Sequence, residues 1–226
     1  MSADGGLLDV FRSLDSMHGA RGWHWSAETD PFEIAVGAIL VQNTAWSNVE
    51  RALGQLRAAG ALTPEVMSRL PVHELETLVR PSGQYRQKAL KLRAFLALVE
   101  QFGSLKGLLT LPAEELRKAL LATWGIGPET ADCIVLYCAK EPTFVVDAYT
   151  VRLFTRVGIG PGATAGYDAW QAYFATRLPG EQELWARYHA LIVLHCKHVC
   201  LKRAPRCGGC HLSAGCQFAR EMTENR

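Results

Sequence analysis

Residues 122–150 read ATWGIGPETADCIVLYCAKEPTFVVDAYT, and this stretch decides the fold. A helical segment over 113–122 runs into Gly125-Ile126-Gly127. A second helix starts at Pro128, whose fixed φ suits a first helical position. The glycines allow a tight backbone between the two, and the N–H groups at the new helix start can hold a phosphate without reading any sequence. A glycine that merely ends a helix fits the same residues. A dinucleotide-binding turn does not fit: the third glycine is missing from Gly-Ile-Gly-Pro-Glu-Thr, and the preceding segment is helical rather than a strand. Asp147 follows two valines and precedes another helix, so it is expected at a helix N-terminus, where the dipole and the N–H groups favour an ionised carboxylate.

Helical signals extend outward in both directions. Asp30-Pro31-Phe32-Glu33 combines an N-cap Asp, Pro at the first position and Glu at the third, a capping-box-like start. The segment behind it, 34–42, is apolar on nearly every face and predicts a central buried helix. Further helices are expected over 46–58, 64–70, 73–79, 84–101, 113–122, 129–139, 148–157, 167–177 and 181–199, punctuated by Leu-Pro pairs and glycines. Residues 143–146 are the only strand candidate and are too short to anchor a sheet. The fold class is all-α.

The 226 residues are 49% hydrophobic and 20% charged, with 24 basic against 22 acidic side chains. That composition excludes a disordered chain, a collagen-like repeat and a coiled coil. The most apolar run, 34–41, is far short of the ~18–20 residues a membrane span needs, and MSADGG carries no secretory signal pattern. Net charge is +2, but it is unevenly spread. Residues 1–34 hold six acids and two bases. Residues 80–99 hold Arg80, Arg86, Lys88, Lys91 and Arg93 with no acid, and residues 197–220 hold Lys197, Lys202, Arg203, Arg206 and Arg220 with none. Two basic stretches are the distribution expected of a phosphate-binding surface, although solvated helix faces read alike.

Cys200, Cys207, Cys210 and Cys216 are spaced C-x6-C-x2-C-x5-C in a loop rich in Gly, Pro and basic residues. Four thiolates so close in sequence can wrap one ion or cluster at little closure entropy. Without a secretion signal, such spacing reads as metal binding rather than disulfides. Zinc and a [4Fe–4S] cluster both accept four thiolates. Cys133, Cys138 and Cys196 lie on apolar helices and read as small buried hydrophobes.

Together these features resemble the helix-hairpin-helix DNA glycosylase superfamily on its endonuclease III branch, over most of the chain from Asp30 to Cys216. Gly125-Ile126-Gly127 followed by Val145-Val146-Asp147 resembles that family's hairpin and essential Asp, and the cysteine spacing matches its [4Fe–4S] loop rather than a zinc site. Leu40-Val41-Gln42-Asn43-Thr44, Val79-Arg80-Pro81-Ser82-Gly83 with Tyr85 and Gln87-Lys88-Ala89, residues 127–132, and Ala139-Lys140-Glu141 resemble the endonuclease III-type 3-methyladenine DNA glycosylases. That subgroup usually lacks the cluster cysteines, so the chain combines features of both groups.

The resemblance implies two helical lobes with DNA between them: a six-helix lobe over 31–141, and a cluster lobe of 1–30 with 142–226. It implies a monomeric intracellular enzyme of base excision repair acting on duplex DNA with a damaged base, and no membrane partner. Asp147 would stabilise the oxocarbenium-like sugar and orient or deprotonate water, although an Asp that only caps its helix fits the same position. Gln42, with Asn43 beside it, resembles the residue that wedges into the duplex. Trp46 resembles an aromatic that stacks on the extruded base, and Trp23 and Trp25 are further pocket candidates, with core packing as the alternative. Where the lyase enzymes carry a Schiff-base Lys, this chain has Glu129, which cannot form an imine. The expectation is therefore a monofunctional glycosylase for alkylated purines. The alternatives are a glycosylase for oxidised pyrimidines and a weakly or non-catalytic lesion binder. Lys140 is a conceivable replacement nucleophile but reads better as a solvated loop residue. His24, His189, His195 and His198 receive no role.

Overall fold

A computed structural model describes residues 3–19, 21–25 and 28–224. Among these residues every regular element is helical. The chain divides into two compact units, one formed by Met1–Trp23 with Pro142–Arg226 and the other by His24–Glu141.

In the second unit, α2 (Pro31–Leu40) lies at the centre, with Ile34, Ala35, Val36, Ile39 and Leu40 fully buried. Around it pack α3 (Trp46–Ala58), α6 (Tyr85–Gln101) and α9 (Pro128–Cys133). A side chain at Gly37 would meet the Trp46 ring at 3.3 Å, so the small residue admits the close approach of α3. The shorter helices α4 (Pro64–Arg69), α5 (Val72–Val79), α7 (Leu105–Leu109) and α8 (Ala113–Leu121) complete this unit. Asp30 caps α2 as expected, accepting from the N–H groups of Phe32 (2.8 Å) and Glu33 (3.2 Å). The other half of the capping box is not made, because Glu33 turns to Arg57 at 2.5 Å. The helix expected over 129–139 is regular only to Cys133 and continues as a π turn through Ile134–Cys138. Glu141 N–H closes that turn on the Val135 carbonyl, with Lys140 exposed and left-handed at φ +60°.

In the first unit, α1 (Ala3–His18), α10 (Ala148–Val157), α11 (Tyr167–Ala175), α12 (Gln182–His198) and α13 (Gln217–Glu224) enclose an aromatic core. Phe144 and Phe174 stack at 3.9 Å, with Phe154, Trp170, Trp185 and Tyr188 around them. Burying each such ring stabilises the fold by roughly 1.5–3 kcal/mol. Residues 143–146 form no strand. Their backbone is bonded by side chains instead: Gln171 donates to the Phe144 carbonyl (3.1 Å), and Val146 N–H donates to the Tyr167 hydroxyl (3.3 Å). Helices α1, α7 and α13 lay outside the sequence reading. For α1 the signal was present, since Leu7, Val10, Phe11 and Leu14 recur at helical spacing. No helix of the described residues is long and apolar enough to cross a membrane.

Candidate active site and cysteine loop

Asp147 stands at the N-cap of α10, with an extended backbone (φ −123°, ψ 179°). Its Oδ1 accepts from Thr150 N–H at 2.7 Å and from the Thr150 hydroxyl at 2.9 Å. Its Oδ2 lies 3.7 Å from His189 Nε2 on α12, and its side chain is 10% exposed. Burial by itself would raise this carboxyl, but the His189 imidazole and the two Thr150 donors outweigh it and hold Asp147 below its ordinary value. The group is therefore an ionised, nearly enclosed carboxylate with one oxygen committed to the cap and the other facing an imidazole. His189, assigned no role from sequence, is thus the nearest basic partner of Asp147, and Trp23 stands edge-on to it at 6.0 Å. The sequence carries no local signal for this pairing, since 42 positions separate the two residues.

The hairpin is built as the glycines predict. Gly125 is left-handed at φ +83°, and a Cβ there would lie 2.4 Å from Lys91 Cγ, so both conformation and space require glycine. Gly127 is extended (φ −93°, ψ 177°) and leaves the start of α9 without a side-chain cap. Arg117 on α8 holds the buried Asp132 on α9 with two bonds, Nε to Oδ1 at 2.7 Å and Nη2 to Oδ2 at 3.2 Å, fastening the two hairpin helices together. Glu129 is exposed on the first turn of α9. Gln42, on the turn after α2, bonds to Gly125, Thr130 and Lys91. Its neighbour Asn43 is exposed and left-handed at φ +55°.

The basic stretch 80–99 differs from its expected role as a phosphate surface. Lys88 is buried, with Nζ donating to the carbonyls of Leu40 (2.8 Å) and Ser82 (2.5 Å). Burial, with Lys91 nearby, lowers it to about 8. Lys91 donates to Gln42, and Arg93 to the carbonyls of Ser68 and Leu70. These three cations cap carbonyls and an amide inside the unit. Arg80 and Arg86 alone remain exposed, both against the Tyr85 ring.

Among the candidate aromatics, Trp46 stacks on His24 at 3.6 Å with planes 20° apart, and its N–H donates to Glu50 (2.9 Å). Trp25 is buried, edge-on to Trp46 at 5.6 Å and to Tyr137 at 5.0 Å. Trp23 belongs to the other unit, beside His189.

Cys200, Cys207, Cys210 and Cys216 all line one cavity, with Leu153, Val157 and Leu212 as its apolar wall. Among the described residues no three His, Cys, Asp or Glu side chains converge closely enough to hold a single ion; the four thiols ring the cavity instead. The Cys200 thiol is lowered to about 6, chiefly by a bond from Cys196 and then by Arg156. Arg156 donates to Cys200 Sγ (3.3 Å) and to the Leu201 carbonyl (2.7 Å), and Arg152 donates to the carbonyls of Cys196 and Cys200 (both 3.1 Å). These arginines lie one turn apart on α10, and sequence reading missed them. Cys133, Cys138 and Cys196 are buried as expected.

The profile of the HhH-GPD superfamily of base excision DNA repair proteins matches residues 36–170. A protein assigned as a DNA repair glycosylase in Methanocaldococcus jannaschii is 39% identical over 213 residues, covering 93% of this chain and 95% of the relative. Endonuclease III of Thermotoga maritima is 29% identical over 199 residues, 85% of each. The structure of H. pylori 3-methyladenine DNA glycosylase bound to 1,N6-ethenoadenine superposes with a TM-score of 0.74 at 27% identity, covering 84% of this chain and 97% of that one. A non-covalent endonuclease III–DNA complex superposes at 0.83 with 20% identity, over 99% and 100% of the two chains, and that likeness concerns the fold alone.

Proposed function

Because the chain belongs to the HhH-GPD superfamily of base excision DNA repair proteins, we propose that this DNA glycosylase is monofunctional and hydrolyses the N-glycosidic bond of an alkylated purine extruded from duplex DNA. The observation that carries the reading is the ionised Asp147 carboxylate at the head of α10. A carboxylate beside the sugar stabilises the cationic character that develops as the base leaves. Oδ1 is held by Thr150, so Oδ2 is the oxygen able to orient or deprotonate the attacking water. His189 keeps Asp147 charged inside a nearly closed site.

The remaining parts are assigned on the same reading. The hairpin from Gly125 to Gly127 holds a backbone phosphate. Trp46, edged by Trp25, supplies a π face, which favours a cationic alkylated ring; His24 now occupies the ring-on-ring place such a purine would take. Glu129 stands where lyase enzymes use Lys, so no imine forms and the product is an abasic site with an intact strand. The H. pylori relative's ethenoadenine complex supports a purine substrate. The endonuclease III relatives and the cysteine loop favour a second reading, oxidised pyrimidines.

A [4Fe–4S] cluster fits the thiols around their cavity, with Cys200, Cys207, Cys210 and Cys216 as ligands and Arg152 and Arg156 offsetting their negative charge. When bound, the group supplies a covalent crosslink for a loop with little core of its own. A panel of duplexes bearing single 3-methyladenine, 1,N6-ethenoadenine or oxidised pyrimidines tests the whole reading. Excision of the purines, with strand breaks only after alkali and no borohydride-trapped adduct, is expected. Breaks without alkali, or activity confined to pyrimidines, would remove it.

A further inference from the structure

His195 on α12 stands between the cysteine loop and the last residue of α1. Its Nε2 lies 3.6 Å from Cys210 Sγ, and its Nδ1 lies 3.1 Å from His18 Nε2. Both imidazoles are buried, which favours their neutral forms, each with one N–H donor and one bare acceptor nitrogen. The far nitrogen of the chain, His18 Nδ1, is buried with no hydrogen-bond partner among the described residues. Two orders of protons are open to the pair. In one, His18 Nε2–H donates to His195 Nδ1 and His195 Nε2–H donates to Cys210 Sγ, so both donors are bonded. The reverse order would orphan an N–H at His18 Nδ1 and turn a lone pair of His195 onto a metal-bound sulfur. The first order therefore wins at both ends. The same turn of α1 also holds the next residue of the loop. The Ser16 hydroxyl meets His211 Nδ1 at 3.3 Å, and Met17 Sδ accepts from His211 N–H at 3.3 Å.

We infer that His195 donates a hydrogen bond to the Cys210 sulfur of the iron–sulfur cluster, and that His18 is a positioning residue that fixes the His195 tautomer. The end of α1 is then an outer wall of the cluster site. This rests on the cluster reading above and goes beyond its four ligands. An N–H aimed at a ligating sulfur draws off negative charge, which favours the reduced cluster and holds the ligand in place. Cys200 takes its donor from Arg156 on α10 (3.3 Å), so side chains of two different helices orient two of the four sulfurs.

The test uses anaerobically purified holoprotein of wild type, His195→Leu, His195→Gln, His18→Leu and the double leucine variant. The readouts are the midpoint potential of the cluster and iron retention against a chelator, with melting temperatures alongside. His195→Leu should move the potential to a more negative value and weaken iron retention about tenfold. His195→Gln, whose amide can donate from the place of Nε2, should restore both. His18→Leu should act in the same direction by less, and the double variant should fall no further than His195→Leu, because both act through one bond. An unmoved potential in His195→Leu, equal losses in the Leu and Gln variants, or additive losses in the double variant would overturn the inference. Where His195→Leu folds poorly, wild type with isotope-labelled histidine nitrogen decides. A histidine hyperfine coupling to the paramagnetic cluster is expected there and should vanish in His195→Gln; its absence from wild type would overturn the inference. Wild type that carries no iron would end the cluster reading and this inference together, whereas iron-loaded wild type with unresponsive variants would end this inference alone.

Discussion

Asp147→Asn separates chemistry from stability at one position. Asparagine caps helices as well as aspartate does, so its amide oxygen can keep the Thr150 N–H bond now made at 2.7 Å. The fold should lose only the charged part of those bonds, about 1 kcal/mol, with a correspondingly small drop in melting temperature. What disappears is the negative charge. A unit charge roughly 4 Å from an oxocarbenium centre, at an effective dielectric near 20, is worth about 4 kcal/mol. That corresponds to about a thousandfold in rate. The assay is single-turnover release of 1,N6-ethenoadenine from a duplex, read after alkaline cleavage, with binding to the same duplex measured in parallel. Binding should hold within a few-fold while excision falls by the predicted factor. Excision within tenfold of wild type, in a variant that melts normally, would refute the electrostatic role of Asp147 and leave it as a cap.

Other predictions follow from neighbouring geometry. Asp147 is held below its ordinary value when folded, so its charge contributes stability that is present above the unfolded carboxylate range, near pH 4, and is lost as pH falls through the lower folded value. Thermal melts across that acid window should show wild type losing stability more steeply than Asp147→Asn, and parallel curves would count against the depressed carboxyl. His189→Gln removes the imidazole that opposes burial, so the acid limb of the excision profile should move to higher pH; an unmoved limb would take His189 out of the site. Cys216→Ser should yield protein without iron–sulfide absorption and with a lower melting temperature, whereas Cys196→Ala should keep the absorption; a brown Cys216→Ser variant of normal stability would refute the ligand set. Glu129→Lys should create a borohydride-trapped adduct that wild type lacks, and its absence would mean that this position does not face the sugar.

Sequence reading reached whatever is local. The α2 start, the glycine hairpin, the Asp147 cap and the four-cysteine spacing each depend on residues within one or two helical turns, so their physics is written in adjacent letters. What it missed depends on distance in the chain. His189 meets Asp147 from another helix, and the Arg117–Asp132 pair spans two. The basic stretch 80–99 departs from both of its sequence readings for the same reason. Charge composition cannot say whether an ammonium faces solvent or a carbonyl, and three of these five cations face carbonyls or an amide.

Helix α10 brings the two chemical features of the first unit onto one rigid rod. Asp147 is its N-cap, and Arg152 at its middle and Arg156 near its other end grip the backbone and Cys200 thiol of the cysteine loop. Ten helical residues span about 15 Å and bend little over that length. Any change in the loop that moves those arginines therefore rotates or shifts the carboxylate at the other end. On the function proposed above, the cysteine loop would serve catalysis by fixing the axis of the helix that carries Asp147.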